Sequence, residues 1–195
     1  MPEQTESGLR SLLEEAIRDQ RIVTVDRDVF EDERNLGRVI GVGVELVLMQ
    51  AISDGMDFAG FSVFRLQDIS RVEVPHAHEA FVASALRLRG EVAEAPPTVD
   101  LSSWGGVVRG LGRHSPLVTI HREEVEPDLC SIGHVRSVDA ERVGLIEIDP
   151  DADWDDEISE IALSEITRVD VGGPYEEALL LVGGPCPVPI LRPVD

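Results

Sequence analysis

The chain has 195 residues with 17 basic and 38 acidic side chains, so its formal net charge is −21, and 43% of its residues are hydrophobic. This apolar content excludes general disorder, and the length allows one large or two small domains. A strongly negative surface repels phosphate, which disfavours nucleic acid as a partner and favours a basic protein. No apolar run approaches the roughly 18 residues of a membrane-spanning helix, and the acidic N-terminus does not resemble a secretory signal. We therefore expect a cytoplasmic protein that does not engage a membrane.

The first half of the chain predicts a helix, several short strands and a second helix. Apolar residues at helical spacing follow the potential capping residues 5–7: Leu9, Leu12, Leu13 and Ile17. The segment 37–52 forms either two strands or one bent strand, with Gly41 and Gly43 as bend points. The remaining predicted elements are strands at 22–25, 58–66 and 69–74 and a helix at 78–88.

The second half of the chain repeats the first at offsets of 95, 96 and 97 residues. Three pairs of segments align in order: 23–28 with 118–123, 36–39 with 132–135, and 68–74 with 165–171. We therefore predict two copies of one domain, each with a helix followed by five strands. Closure removes the exposed edges of so short a sheet, which favours two small barrels.

The elements of the second copy follow the same order. Its helix begins after Asp100 or Ser102, its strands lie at 117–122, 133–138, 142–148, 157–163 and 166–171, and a short helix lies at 176–182. The predicted domain boundaries are 1–90 for the first barrel with its helices, 91–99 for a linker, 100–184 for the second barrel and 185–195 for a proline-rich tail.

A glycine opens the second strand of each copy, and apolar residues follow it at a common spacing: Gly37, Val39, Val42 and Leu46 in the first copy, and Gly133, Val135 and Val138 in the second. Asp139 follows directly, and Arg65 stands before the apolar pair Ile69 and Val72. This pattern resembles the two motifs of the Sm-like family, which includes the bacterial Hfq proteins. The resemblance implies a mainly β chain of two tandem Sm-like, or SH3-like, five-stranded barrels, each preceded by an N-terminal helix.

The resemblance also implies RNA binding and self-association. Family members hydrogen-bond a base edge with an Asn and stack an Arg on the base. The Asn positions hold Val47 and Gly144, and Ala162 replaces the second Arg, so the motif is largely lost. RNA binding therefore stays an alternative function, and a pseudo-dimer or a ring stays a possible assembly.

An acidic segment at 149–160 has side-chain oxygens at the spacing of a calcium-binding EF-hand loop. Trp154 stands where that loop needs glycine, and Asp156 stands where it needs an apolar residue. The repeat places the segment between the third and fourth strands. We expect a solvated acidic loop, weak divalent-metal binding through Asp149, Asp151, Asp153 and Glu160, or docking of an arginine-rich partner. The candidate binding carboxylates are Asp149, Asp151, Asp153, Asp155, Asp156 and Glu157.

Arg71 and Arg168 recur at the same place in the two copies. They form either a shared binding position or ion pairs with Asp68 and Glu165. Together with Arg65 and Asp139, they complete the set of candidate binding residues.

Sequence motifs of the common enzyme families are absent, and the two cysteines do not form a metal-ligand set. We therefore predict no catalytic residue and no cofactor. The favoured function is non-catalytic: an acidic binding or scaffold protein that engages a basic protein partner. The alternative is RNA binding, and the third hypothesis is a divalent-metal-dependent role for the segment 149–160.

Overall fold

The structure is a computed structural model that describes residues 5–30 and 34–187. It divides into two compact units, 1–96 (unit 1) and 97–195 (unit 2), and the division falls inside the predicted linker. The predicted proline-rich tail lies outside the described residues from position 188 onward. None of the described helices is both long enough and apolar enough to span a membrane.

Unit 1 consists of a helix, five antiparallel strands and a second helix. Its elements are α1 (Glu6–Arg18), β1 (Ile22–Asp26), β2 (Arg34–Val42), β3 (Leu46–Ile52), β4 (Phe58–Arg65), a 3-10 turn (Leu66–Asp68), β5 (Arg71–Glu73) and α2 (Glu79–Arg89). The strand order is β5-β1-β2-β3-β4. The segment 37–52 therefore belongs to two strands, with a register shift between Val39 and Gly41.

Helix α1 begins where the sequence predicts. The Thr5 side chain accepts a hydrogen bond from the Gly8 N–H at 3.3 Å, which caps the first turn. Leu9 and Leu13 lie on one face of the helix and are buried against the sheet together with Val23 and Val25 of β1. Helix α2 covers a second, smaller cluster of buried residues: Ile22, Ile52, Val82 and Leu86.

Unit 2 has the same succession of elements. They are α3 (Trp104–His114), β6 (Val118–His121), β7 (Cys130–Val138), β8 (Arg142–Ile148), β9 (Trp154–Ala162), a 3-10 turn (Leu163–Glu165), β10 (Arg168–Val171) and α4 (Pro174–Gly183). The strand order is β10-β6-β7-β8-β9. Ser103 caps α3 by accepting a hydrogen bond from the Gly106 N–H at 3.1 Å, so the predicted caps Asp100 and Ser102 are wrong by one or more residues.

Close contact between strands explains the glycine that opens the motif in each unit. A Cβ atom at Gly37 would lie 2.2 Å from the carbonyl oxygen of Gln50, and one at Gly133 would lie 2.5 Å from that of Ile146. In both units the obstructing atom belongs to the backbone of the facing strand. Any larger residue at either position would therefore push two strands apart.

The prediction of two closed five-stranded barrels is not confirmed. Among the described residues, β4 and β5 of unit 1 are not neighbours in its sheet, and neither are β9 and β10 of unit 2. Strand β5 has three residues, and each of them pairs with β1. So short a strand leaves little backbone with which to close the sheet of its own unit, and the sheet within each unit is open.

The acidic segment is also more regular than predicted. Only positions 149–153 form the turn between β8 and β9, and the acidic residues 155–157 belong to β9, which pairs with β8. Ile148 pairs with Trp154, and Ile146 pairs with Ile158. These apolar pairs set the register, whereas an edge strand with a solvated face tolerates the charged residues between them.

Candidate binding site

Unit 2 contains a cavity of about 350 Å³ beside the start of β7. Its walls come from the segment before β7, the end of β8, the β8–β9 turn and helix α4. The side chains that line it are Asp128, Leu129, Cys130, Ile132, Glu147, Ile148, Asp149, Pro150, Asp155, Tyr175 and Leu179. We call this region the acidic cavity.

Four carboxylates line the acidic cavity, and no lining residue is basic. Glu147 precedes Ile148 on β8 and Asp155 follows Trp154 on β9, and because Ile148 pairs with Trp154, both carboxylates lie at the turn end of this hairpin. Asp128 approaches from the segment before β7, and Asp149 from the turn. Four negative groups around one small volume raise the local negative potential and attract a cation.

The inner wall of the acidic cavity is apolar. Ile148 and Leu179 are both 4% exposed and belong to the same buried cluster. Leu129 and Tyr175 line the same cavity but are more than half exposed. An apolar wall beside carboxylates matches the side chains of arginine and lysine, whose aliphatic stems pack on apolar surface while their charged ends meet polar groups.

Asp149 has a structural role in addition to its place in the cavity. Its Oδ1 atom accepts hydrogen bonds from the backbone N–H of Asp151 at 2.9 Å and of Asp153 at 3.0 Å. These bonds hold the tight turn in which Ala152 adopts a positive φ of 66°. The turn directs the chain into β9 and thereby fixes the position of Asp155.

A polar network lies on the neighbouring strands β6 and β10. The carboxylate of Asp170 accepts a hydrogen bond from His121 Nε2 at 2.9 Å and contacts Arg168 Nε at 2.8 Å. Burial alone would raise the pKa of this carboxyl, but the charge of Arg168 and the hydrogen bond from His121 outweigh it. The pKa of Asp170 therefore lies well below its usual range. Nearby, Thr119 donates a buried hydrogen bond to Glu176 at 2.6 Å.

Cys130 joins this network to the acidic cavity, because it pairs with His121 in the sheet and also lines the cavity. Desolvation of the thiol and the nearby carboxylates of Asp170 and Glu176 raise the pKa of Cys130. A thiol with a raised pKa is protonated at neutral pH and is a weak nucleophile. We therefore assign Cys130 a place in the wall of the cavity and not the role of a nucleophile.

The structure brings together two of the predicted binding residues. Asp149 and Asp155 line the acidic cavity. The other predicted carboxylates of the segment are exposed on the turn and on β9: Asp151, Asp153, Asp156 and Glu157. Asp139 lies in the β7–β8 turn, where backbone hydrogen bonds from Glu141 and Arg142 lower its pKa.

The predicted binding arginines of the two units lie in different environments. Arg65 forms an ion pair with Asp68 at 2.6 Å and is mostly buried. Arg168 pairs with Asp170. Arg71 on β5 is half-buried, and its expected ion pair with Asp68 is replaced by the pair from Arg65. Neutralisation of Arg65 and Arg168 weakens their attraction for phosphate.

The predicted metal ligands are not gathered in one place. Within the described ranges, no group of three or more His, Cys, Asp or Glu side chains is arranged to hold a metal ion. Asp149 is engaged by backbone N–H groups of its turn, and Glu160 contacts Arg142 at 3.3 Å on the β8–β9 hairpin. Asp151 and Asp153 are exposed.

Sequence reasoning missed two of the four carboxylates of the acidic cavity, Asp128 and Glu147, and all of its apolar residues. One local signal was available, because Glu147 interrupts the apolar strand between Ile146 and Ile148. Asp128 and Tyr175 carry no such signal, since only the fold brings them to the hairpin.

Comparisons of the chain with protein-family models, with curated proteins and with solved structures found no match.

Proposed function

We propose that the protein is a non-catalytic binding protein whose acidic cavity receives a lysine or arginine side chain of a basic protein partner. The observation that carries this proposal is the combination of four carboxylates and an apolar wall in one cavity of unit 2. An arginine or lysine has both the aliphatic stem and the charged end that these walls complement. The ring of Tyr175 offers a further favourable contact for a cation.

The charge of the whole chain supports the same partner chemistry. A net charge of −21 accelerates the approach of a basic surface and slows the approach of a polyanion. The cavity then adds short-range selectivity, because its carboxylates are arranged around a fixed volume. The two effects can therefore be measured separately. Long-range attraction of the partner depends on salt concentration, whereas binding of its side chain in the cavity depends on particular residues.

We also propose that the two units are copies of one Sm-like domain. The common succession of elements supports this proposal, and so does the glycine at the fourth residue of β2 and of β7, each of which faces a backbone carbonyl. Self-association as a pseudo-dimer or a ring belongs to the same proposal. In this scheme the acidic cavity is a property of unit 2 that unit 1 does not share in sequence, since Ala51, Ser53 and Ala59 stand where unit 2 has Glu147, Asp149 and Asp155.

The proposal is tested with a fluorescent peptide that contains one central arginine between small polar residues, titrated against the full chain by anisotropy. Asp155→Asn removes a carboxylate that lines the cavity, whereas Asp156→Asn removes one that is exposed on the same strand and does not line it. Both variants change the net charge equally. We expect Asp155→Asn to weaken binding about tenfold, and Asp156→Asn to weaken it less than about twofold.

Two results would contradict the proposal. One is an equal loss of affinity in the two variants, which would mean that only net charge attracts the peptide. The other is an unchanged affinity when the central arginine is replaced by glutamine, which would mean that the cavity does not receive a cationic side chain.

A further inference from the structure

Unit 1 contains a second cavity with the opposite charge character. It has a volume of about 340 Å³ and lies between β2, the start of β4, the last turn of α2 and the segment that follows α2. Arg38 and Arg87 both line it, together with Phe58, Leu86, Glu91 and Val92. Two arginines in one small cavity are unusual in a chain with 17 basic and 38 acidic residues.

Among the residues that the structure describes, the guanidinium of Arg38 lies over an aromatic ring and forms no ion pair with a carboxylate. Its guanidinium carbon lies 5.5 Å from the centre of the Phe58 ring. The Nε atom of Arg38 is buried, and no acceptor among the described residues lies within hydrogen-bonding distance of it. Arg21 and Arg89 differ from Arg38 in that each contacts a carboxylate, of Glu79 and of Asp57 respectively, at 2.6 Å, although the Nε atom of Arg21 likewise has no acceptor among the described residues.

A second donor without an acceptor lies beside Arg38. Gln50 stands directly opposite Arg38 in the β2–β3 pairing, so the two side chains project from the same face of the sheet. Gln50 is 2% exposed, and its Nε2 atom likewise has no hydrogen-bond partner within the described part of the chain. Buried donors that lack an acceptor cost free energy, and Arg38, unlike Gln50, lines the cavity, so a negatively charged ligand there would offset part of this cost at Arg38.

We propose that this cavity of unit 1 binds a small organic anion, with its carboxylate or phosphate group held by Arg38 and Arg87 and its apolar part packed on Leu86 and Val92. Guanidinium groups bind both kinds of oxyanion by charge-assisted hydrogen bonds. Glu91 lines the same cavity, but its carboxylate accepts a hydrogen bond from the Phe58 N–H at 3.2 Å. This carboxylate and the carbonyl end of α2 offset part of the positive charge, so the site suits a single anionic group, and the net charge of −21 disfavours a polyanion.

This proposal is independent of the acidic cavity, since the two sites lie in different units and take ligands of opposite charge. The test uses calorimetric titration of the full chain with phenyl phosphate, benzoate and the neutral benzyl alcohol. The proposal predicts saturable binding of at least one of the two anions, and affinity for benzyl alcohol at least about tenfold lower, because the charge-assisted bonds are lost. The preferred anion identifies the ligand as a phosphate or a carboxylate.

Variants in which glutamine replaces one arginine, and so removes one positive charge, show where the anion binds. Arg38→Gln and Arg87→Gln should each weaken anion binding about tenfold or more, whereas Arg18→Gln, on an exposed position of α1, should leave it within about twofold. If Arg38→Gln unfolds, the exposed Arg87 still decides the question, because its replacement leaves the core intact. Absence of saturable binding by either anion at about 20 mM, or an equal loss in Arg18→Gln, overturns the proposal.

Discussion

Individual carboxylates of this chain serve two different purposes. Some are committed to the fold, as in the β8–β9 turn, where Asp149 holds the backbone, and in the strand pair β6–β10, where Asp170 binds His121 and Arg168. Others, such as Asp156 and Glu157, are exposed on β9. The number of acidic residues in the sequence therefore does not measure the negative charge that is available to a partner.

The network around Asp170 predicts a measurable loss of stability. Replacement of Asp170 by Asn removes the charge that compensates Arg168, so we expect the free energy of unfolding to fall by about 2–3 kcal/mol at pH 7. Urea denaturation of the two proteins measures this difference. Asp156→Asn is the control, and its exposed position predicts a change below about 0.5 kcal/mol.

The same carboxyl predicts how the difference depends on pH. Since folding lowers the pKa of Asp170, its contribution to stability is complete above the unfolded pKa of about 4 and is lost as the pH falls below it. The difference in the free energy of unfolding between the wild type and Asp170→Asn should therefore decrease progressively as the pH falls from about 5 to about 2. A gap that stays constant over this range would show that the carboxyl titrates alike in the folded and unfolded chains.

Two glycines in different environments predict opposite effects of a methyl group. Gly37→Ala should lower the free energy of unfolding by about 2–3 kcal/mol, because its Cβ would meet the Gln50 carbonyl at 2.2 Å. Gly105 lies in the first turn of α3, where the nearest atoms are ends of side chains at 3.4 Å. Gly105→Ala should raise stability by about 0.5–1 kcal/mol, since alanine favours the helix. Thermal unfolding of both variants tests this, and a stable Gly37→Ala protein would contradict the described strand contact.

At the scale of elements, helix starts are determined by local capping residues. Ser103 caps α3 through its hydrogen bond with the Gly106 N–H, whereas Ser102 precedes the cap. We expect Ser103→Ala to lower the free energy of unfolding by about 1 kcal/mol, and Ser102→Ala to change it by less than about 0.5 kcal/mol. Chemical denaturation compares the two variants, and the reverse order of effects would place the helix start one residue earlier.

The strand and helix pattern of this chain was largely accessible from its sequence. Helical spacing from Leu9 to Ile17 predicts α1, and alternating apolar residues predict the strands, because burial against one core repeats with the period of each element. The predicted strand began only at position 157, and residues 154–156 at the start of β9 were not assigned to it, since charged side chains on an edge strand leave no apolar alternation. The apolar pattern also could not predict whether the sheet closes into a barrel, because alternation indicates which face of a strand is buried and not which strands pair.

The binding cavities were less accessible than the elements. The acidic cavity joins Asp128, Glu147, Asp155 and Tyr175, which are far apart in sequence and meet only through the β8–β9 hairpin and α4. The cavity of unit 1 joins Arg38 on β2 with Arg87 on α2. In neither cavity do the lining residues recur at a sequence spacing that a local motif search could detect.

At the scale of the whole molecule, the net charge of −21 affects stability as well as binding. Like charges repel one another in the compact state, and salt screens this repulsion as the Debye length falls from about 30 Å at 0.01 M to about 8 Å at 0.15 M. We therefore expect the free energy of unfolding at pH 7 to rise between these two sodium chloride concentrations. A fall over the same range would show that attractive ion pairs, such as Arg89 with Asp57, outweigh the net repulsion.

The measurement that tests the central claim most directly is a double-mutant cycle between the protein and an arginine-containing peptide. The cycle combines Glu147→Gln in the protein with replacement of the central arginine by glutamine in the peptide, and anisotropy gives the four dissociation constants. If the arginine occupies the acidic cavity, the coupling energy should be about 1.5 kcal/mol or more, and it should persist at about 0.5 M salt because the pair is partly shielded from solvent. A coupling energy near zero, with the two single changes simply additive, would mean that the peptide is held by the general negative field and that the cavity is not its binding site.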